Sequence, residues 1–343
     1  MILFPADELR DTATAIFRAA GADADPTEIL VTHLIDANLA GHDSHGVLRI
    51  PSYVQAMKRG RIQPNARPAV IRETPVSALV DGNWTFGQVS ARHGIDVAIA
   101  KAKAQGVAVV GVVRCNHIGR LGTYPTLAAK QGIVAMVTTG NVGKSVAPFG
   151  GRQGVFGTNP FSFGFPAGHR EDLMVDFATS TIAGGKVMVA RAKHEPVPPG
   201  SLLDKNGDPT TDPNAYFDGG MLLPFGGHKG SALSVLSVLL SNVLVGAPEF
   251  SDQGGLSGTF MLAIDAGLFR DQSKVTADAD RVFDRIKDVP PAPGFDQVLV
   301  PGEPEVRTAE RRRQGGIPVA DDTWAEIVAA GQSVGLAVTR RGS

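Results

Sequence analysis

Two histidines, a serine and an arginine fall within one glycine-bounded stretch, Gly41-His42-Asp43-Ser44-His45-Gly46-Val47-Leu48-Arg49. Such a set can supply an acid/base, a hydroxyl donor and a guanidinium fork that grips a carboxylate through two parallel bonds. The same residues would also suit a helix C-terminus, where polar groups satisfy free carbonyls. A second cluster, Arg114-Cys115-Asn116-His117-Ile118-Gly119-Arg120-Leu121-Gly122-Thr123-Tyr124, follows an apolar run. A lone histidine there is as readily a hydrogen-bonded structural residue as a catalyst. Gly157-Thr158-Asn159-Pro160 has the chemistry of a tight polar corner. Met174-Val175-Asp176-Phe177-Ala178-Thr179-Ser180-Thr181 ends a strand with an acid and hydroxyls suited to a ribose or phosphate. Pro224-Phe225-Gly226-Gly227-His228-Lys229-Gly230-Ser231 opens a long apolar helix. Free N–H groups, the helix dipole and Lys229 could converge there on an anion.

Missing motifs narrow the chemistry. No G-x-G-x-x-G opens a helix after a strand, and Gly143-Lys144-Ser145 has the tail of a phosphate loop but Thr138 where its leading glycine belongs. Neither H-E-x-x-H nor G-x-S-x-G occurs. Two rival readings stay open from the residues: a metal-dependent hydrolase or lyase using His42, His45 and His117 with Asp176 or Asp43, and a binding protein that has lost catalysis.

The whole chain must position these groups. With 343 residues, 43% of them hydrophobic, it can bury a large core as one big domain or two intimate ones. The 33 basic and 34 acidic residues leave a formal charge of −1, so nothing favours nucleic acid or an anionic membrane, and a small molecule is the expected partner. The lone Cys115 excludes an intrachain disulfide and reads as a buried thiol at a strand end. Asp7, Glu8 and Arg10 interrupt the apolar start too early for a signal peptide, and no apolar run reaches membrane-spanning length. A cytoplasmic location is expected.

The first part of the chain reads as helical. Leu9, Ala13, Ile16, Phe17 and Ala20 mark one buried face, and Asp25-Pro26-Thr27-Glu28 predicts the N-cap of a second helix running to about Gly41. From residue 68 short β-branched runs alternate with helical patterns, the α/β signature. Strands are predicted around 69–71, 76–80, 107–113, 133–138, 161–165, 173–177, 259–264 and 297–300. Helices are predicted near 88–105, 122–131, 182–192, 229–246 and 277–287. The Pro/Gly/Asp-rich stretch from Glu195 to Pro213 reads as a lid or a linker. Arg311-Arg312-Arg313 reads as a solvated helix face, and a last helix is capped around Asp322-Thr323, with Trp324, Ile327 and Val328 on one face.

Together the clusters resemble the malate/L-lactate dehydrogenase family of the second type, which also holds ureidoglycolate, sulfolactate and diketogulonate dehydrogenases and a cyclic imino acid reductase. The likeness spans nearly the whole chain. It extends through Ala147-Pro148-Phe149-Gly150-Gly151, Pro198-Pro199-Gly200, Asp204-Lys205-Asn206-Gly207, Thr211-Asp212-Pro213, Pro301-Gly302-Glu303 and Gly316-Ile317-Pro318. Asn116 to Gly122 and Ala178-Thr179-Ser180 are most similar to the hydroxycarboxylate dehydrogenase B type. One stretch departs from the pattern: Thr139 to Lys144 is at least one residue longer ahead of Ala147-Pro148, in a loop the resemblance places beside the substrate.

The resemblance implies an α/β fold with a mixed sheet, like L-sulfolactate dehydrogenase, that binds NAD or NADP without the usual dinucleotide fingerprint. It implies a helical N-terminal region, 1–67, joined by a C-terminal helix, 307–343, and an α/β cofactor-binding domain, 68–306. It implies a homodimer and hydride transfer between small 2-oxo and 2-hydroxy acids. His117 and His45 become the proton-transfer candidates, with Ser44 and Arg49 as substrate contacts. The cofactor is expected along Asp172, Leu173, Met174, Val175, Asp176, Phe177 and Ala178, at His228 and Lys229, and at Gly302, Glu303 and Pro304, with Thr158 and Asn159 nearby.

Overall fold

The computed structural model describes residues 1–247 and 258–341. A short strand β1 (Ile2–Phe4) leads into helices α1 (Ala6–Ala19) and α2 (Ala24–Leu39). Leu9, Ala13, Ile16 and Phe17 form the buried stripe of α1, while Ala20 is its C-cap residue. The N-cap of α2 is Asp23, so the expected cap at Asp25 is displaced and Pro26 stands inside the first turn. Proline is tolerated there because the first N–H groups of a helix have no intrahelical acceptor. Two single 3₁₀ turns, Asp43–His45 and Val47–Arg49, then feed α3 (Ile50–Lys58).

The α/β part follows in order: β2 (Ala69–Thr74), β3 (Ser77–Asp81), α4 (Gly87–Gln105), β4 (Val107–Val113), α5 (Thr123–Ala129), β5 (Ile133–Thr139), β6 (Phe161–Phe165), β7 (Leu173–Phe177) and α6 (Gly184–Lys193). After these come β8 (Leu202–Leu203), β9 (Pro209–Thr210), α7 (Asn214–Phe217), β10 (Met221–Leu222), α8 (His228–Val238) with a π-helical extension Leu239–Leu244, β11 (Thr259–Asp265) and α9 (Gln272–Lys287). The chain closes with α10 (Glu303–Gly315), β12 (Ile317–Val319) and α11 (Asp321–Gln332).

Seven strands form one sheet in the order β2-β3-β4-β11-β5-β6-β7. Only β3 and β4 run parallel; every other neighbouring pair is antiparallel. The late strand β11 inserts between β4 and β5. Helices α4 and α5 cover the sheet through a core that includes Ile95, Ile99, Val110, Val112, Tyr124 and Val137. A second core joins the two ends of the chain, since Phe4, Phe17, Leu34 and Tyr53 pack with Ile317 and Ile327. Among the described residues no helix is long and apolar enough to cross a membrane.

Four expectations need correction. Residues 297–300 form no strand: Val300 packs with Ala279 and Phe283, and the β7 edge receives only one bond beside them, Met174 N–H to the Pro301 carbonyl at 3.4 Å. The single C-terminal helix is two helices, because Ile317–Val319 leaves the helix to pair antiparallel with β1. The stretch from Glu195 to Pro213 is not a bare linker, since β8 and β9 belong to a three-stranded sheet with β10. A side-chain turn holds that hairpin, with Asp204 Oδ1 accepting from Asn206 N and Asp208 N at 2.8 and 2.9 Å. Finally, Arg312 is not on a solvated face: it lies against Asp43, with Nη1 2.6 Å from Oδ1.

Candidate active site

The glycine-bounded histidine stretch is held in shape from beneath. Asn38, in the last turn of α2, donates to Asp43 Oδ1 at 2.7 Å and accepts from Val47 N–H at 2.8 Å. Arg312 of α10 completes the clamp on Asp43, and His42 faces Glu305 at 3.4 Å. With Asp43 and His42 so engaged, His45, Arg49 and Tyr53 follow at intervals of four along the turns and α3. Ser44 Oγ lies 3.0 Å from His45 Nδ1, and the Ser44 carbonyl accepts from Arg49 Nε at 2.6 Å. That bond fixes the stem of the guanidinium.

His117 arrives from the sheet. Beyond β4, Asn116 donates to the carbonyls of Trp84 and Thr85, each at 2.8 Å, which pins the loop that carries the imidazole. Its Nδ1 meets the Tyr53 hydroxyl at 2.7 Å, and Gln88 Nε2 donates to that same hydroxyl at 2.8 Å. The rings of His45 and His117 face each other with centroids 5.5 Å apart. His117 is exposed at one edge, while its Nδ1 edge is held against Tyr53.

The surroundings of both imidazoles favour their neutral forms. Burial pushes His45 down to about 3, reinforced by the positive charges of Arg49, His42 and Arg120. Burial likewise holds His117 well below its ordinary value, with Arg49, His45 and His33 adding to the effect. His33, also lowered to about 3 by burial, accepts from Arg120 N–H at 2.9 Å. Gly119 makes that approach possible: its φ is +76°, and a Cβ there would stand 2.2 Å from His33 Nε2.

A second group of candidates lies along β7. Asp176 accepts from Gly122 N–H at 2.7 Å, and burial raises its carboxyl. The nearby Arg120 is mostly enclosed, with Nη2 3.7 Å from Met174 Sδ and Nε without a hydrogen-bond partner. The start of α10 adjoins the same strand through the Met174–Pro301 contact. Leu173, Val175, Phe177 and Ala178 are half-buried on it, and Pro304 is exposed. Asp172 and Glu303 are engaged internally, the first accepting from Ala167 N–H at 2.8 Å and the second meeting Lys287 Nζ at 2.8 Å.

The third group surrounds the start of α8. Gly226 and Gly227, with φ of +55° and +61°, turn the chain so that His228 and Lys229 open the helix on its exposed side. Thr158 accepts from Thr179 through its carbonyl at 2.8 Å. Asn159 is buried and used at both ends, accepting from Asn141 N–H at 2.9 Å and donating to the Ser234 carbonyl at 3.3 Å. It is a brace between loop and helix in this structure.

The long loop expected beside the substrate begins against the π-helical extension of α8, where Gly140 N–H donates to Ser241 Oγ at 2.8 Å. The metal reading loses its geometry. His42, His45 and His117 have three different partners, and among the described residues no three histidine, cysteine or acidic groups converge as ligands. Cys115 is the buried thiol expected, pushed up to about 12 by burial.

The sequence pattern of the malate/L-lactate dehydrogenase family matches residues 4–328. The chain belongs to that family. Hydroxycarboxylate dehydrogenase B from Escherichia coli is 37% identical, over 97% of this chain and 94% of its own length. The Δ1-pyrroline-2-carboxylate reductase of Ancylobacter novellus is 36% identical, over 94% of each chain. The solved sulfolactate dehydrogenase of Methanocaldococcus jannaschii superposes with a TM-score of 0.91 at 32% identity, over 98% of both chains. This member of the malate/L-lactate dehydrogenase family is an oxidoreductase with that mixed α/β fold.

Sequence reasoning assigned no role to Tyr53, Gln88, His33 or Arg120. Tyr53 continues the four-residue spacing of His45 and Arg49, a signal present in the sequence. Gln88 had none, since its partner stands 35 positions away.

Proposed function

We propose that this chain is an NAD- or NADP-dependent dehydrogenase that interconverts small 2-oxo and 2-hydroxy acids. The observation that carries the reading is the pairing of two neutral imidazoles beside Arg49, whose guanidinium is braced by the Ser44 carbonyl. A carboxylate on Arg49 would bring the adjacent carbonyl within reach of the imidazole edges.

The residues present fit a nicotinamide dinucleotide. The exposed start of α8 with Lys229 suits a phosphate, and the unpartnered Nε of Arg120 offers a donor beside β7. His228, the strand Asp172 to Ala178 and the Gly302–Pro304 turn would border the rest, with Thr158 near. Asp172, Asn159 and Glu303 would shape that border through their internal bonds. A nicotinamide bound there would give a hydride to the 2-carbon in reduction and take one from it in oxidation.

The side chains of the cleft move the proton and hold the substrate. In the reductive direction His117, charged, gives its Nε2 proton to the oxygen that becomes the hydroxyl, and in the oxidative direction Nε2 accepts it. Arg49 holds the carboxylate, while Ser44 and His45 orient the substrate. Because Arg49 helps hold His117 neutral, a bound carboxylate would offset that repulsion and let His117 take up the proton it needs.

The working form is proposed to be a homodimer. The α8 segment is inverted: Ser234, Ser237, Ser241 and Asn242 are buried, while Val235, Leu236, Leu239, Val243 and Leu244 lie exposed. An apolar stripe turned outward suits a second copy. Sedimentation of a Leu239→Asp/Leu244→Asp variant should show monomers, and a dimer unchanged by it would refute this interface. The function itself is tested with a panel of 2-oxo acids and NADH or NADPH, followed by nicotinamide absorbance. Absence of turnover with every acid would overturn it.

A further inference from the structure

We propose that Gln88 is a positioning residue of the acid/base site, its amide setting the direction of the Gln88–Tyr53–His117 hydrogen-bond chain and thereby which ring nitrogen of His117 carries the proton. This rests on the reading of His117 as the proton carrier.

The chain of bonds is short and closed. Gln88 Nε2 lies 2.8 Å from the Tyr53 hydroxyl, which lies 2.7 Å from His117 Nδ1. Gln88 is 1% exposed and Tyr53 6%, so the chain ends inside the protein. Tyr53 has one proton to give. When the amide nitrogen donates to its oxygen, its own O–H points to Nδ1, and neutral His117 must carry its proton on Nε2, away from Tyr53. In that form Nε2 has no lone pair with which to accept a proton from a hydroxy acid.

Turning the amide reverses every bond. Gln88 Oε1 would accept the Tyr53 O–H, the tyrosine oxygen would accept Nδ1–H, and Nε2 would be left with a lone pair. The imidazolium needs this second direction too, because its Nδ1–H requires an acceptor. Tyr53 passes on a direction and not the proton itself, since burial holds its hydroxyl up at about 12. Gln88 Oε1 is buried and has no partner among the described residues. Each orientation leaves one amide end unpaired, so the chain of bonds stays whole either way and the orientation that the enclosed amide holds is what sets its direction. A residue that only donates, or only packs, would not allow this.

Charges around His117 come from each neighbouring element: His33 from α2, His45 and Arg49 from the 3₁₀ turns, and the neutral Tyr53 and Gln88 from α3 and α4. Gln88 is the member whose replacement alters direction while leaving those charges in place.

The test is ¹⁵N NMR of histidine-labelled, ligand-free protein, with Gln88→Glu and Gln88→Met. Wild type should show neutral His117 protonated on Nε2. Gln88→Glu, an acceptor when ionised, should move the proton to Nδ1 and raise the imidazolium midpoint by about one pH unit or more, part of that rise coming from the added charge, so the tautomer is the deciding signal. Gln88→Met should show a mixture with no preferred nitrogen, and it decides the matter alone if the glutamate variant does not fold. The same tautomer in all proteins would overturn the proposal, whatever the midpoint. If the tautomer follows residue 88 while the pH profile of kcat stays put, the role of Gln88 stands and His117 is not the proton carrier.

Discussion

The rings of His45 and His117 lie nearly parallel, with 14° between their planes and 5.5 Å between centroids. Charging one imidazole therefore opposes charging the other. The pair comes from two parts of the chain with different supports, Ser44 beneath His45 and Tyr53 beneath His117. That asymmetry separates their roles.

His117→Ala should lower kcat by roughly 10²–10⁴-fold with cofactor affinity intact, the usual range for loss of a general acid or base. His45→Ala should chiefly raise the substrate KM. Steady-state kinetics on both variants checks this, and the reverse pattern would exchange the two roles.

Binding of a 2-oxo acid should be accompanied by proton uptake. The charge on Arg49 lowers both histidines, so a carboxylate that offsets it raises them, and affinity should increase as pH falls. Calorimetry in buffers of different ionisation enthalpy measures the uptake directly. Arg49→Lys should weaken substrate binding by about 10- to 100-fold, because a point charge replaces a two-pronged grip. Equal turnover of a neutral analogue lacking the carboxylate would remove Arg49 from this role.

Lys229→Ala should raise the cofactor KM more than it lowers kcat. Lys229 is exposed in the first turn of α8, where a cation adds to free N–H groups around an anion. Fluorescence titration with NADH and NADPH gives the dissociation constants, and unchanged values in the variant would sink the assignment.

Acid should destabilise the fold through His33. Its folded value, about 3, lies below its unfolded one, so its contribution is complete above about pH 6.5 and is lost as pH falls toward 3. At pH 5 the loss from this one side chain is about 2 kcal/mol. Urea denaturation between pH 7 and 5 should therefore show falling midpoints in wild type. His33→Gln should be less stable at pH 7 but flatter across that range; an equally steep variant would place the acid sensitivity elsewhere.

Local patterns carried much of the architecture. The strands at 107–113, 161–165 and 173–177 and the buried stripe of α1 were legible because short runs rich in β-branched, aromatic and other apolar residues, and a 3.6-residue apolar period, are written in neighbouring residues. Helix starts were less so. Pro26 signals a first turn but does not say which of its positions it fills.

The sequence by itself determined the family, most elements and the residue types of the candidate site: His45, Arg49 and His117 stand out by chemistry and setting. Only the tertiary structure decided that β11 enters the sheet between β4 and β5, that β12 returns to β1, and that Arg312 reaches Asp43 across 269 positions. It alone brought His33, Tyr53 and Gln88 to the two histidine loops. Each of these is a contact between distant segments, and the burial that holds His45 and His117 neutral is produced by the same packing. Spacing along a chain records what one helix or strand presents on a face, but the electric environment of a side chain is set by everything that surrounds it.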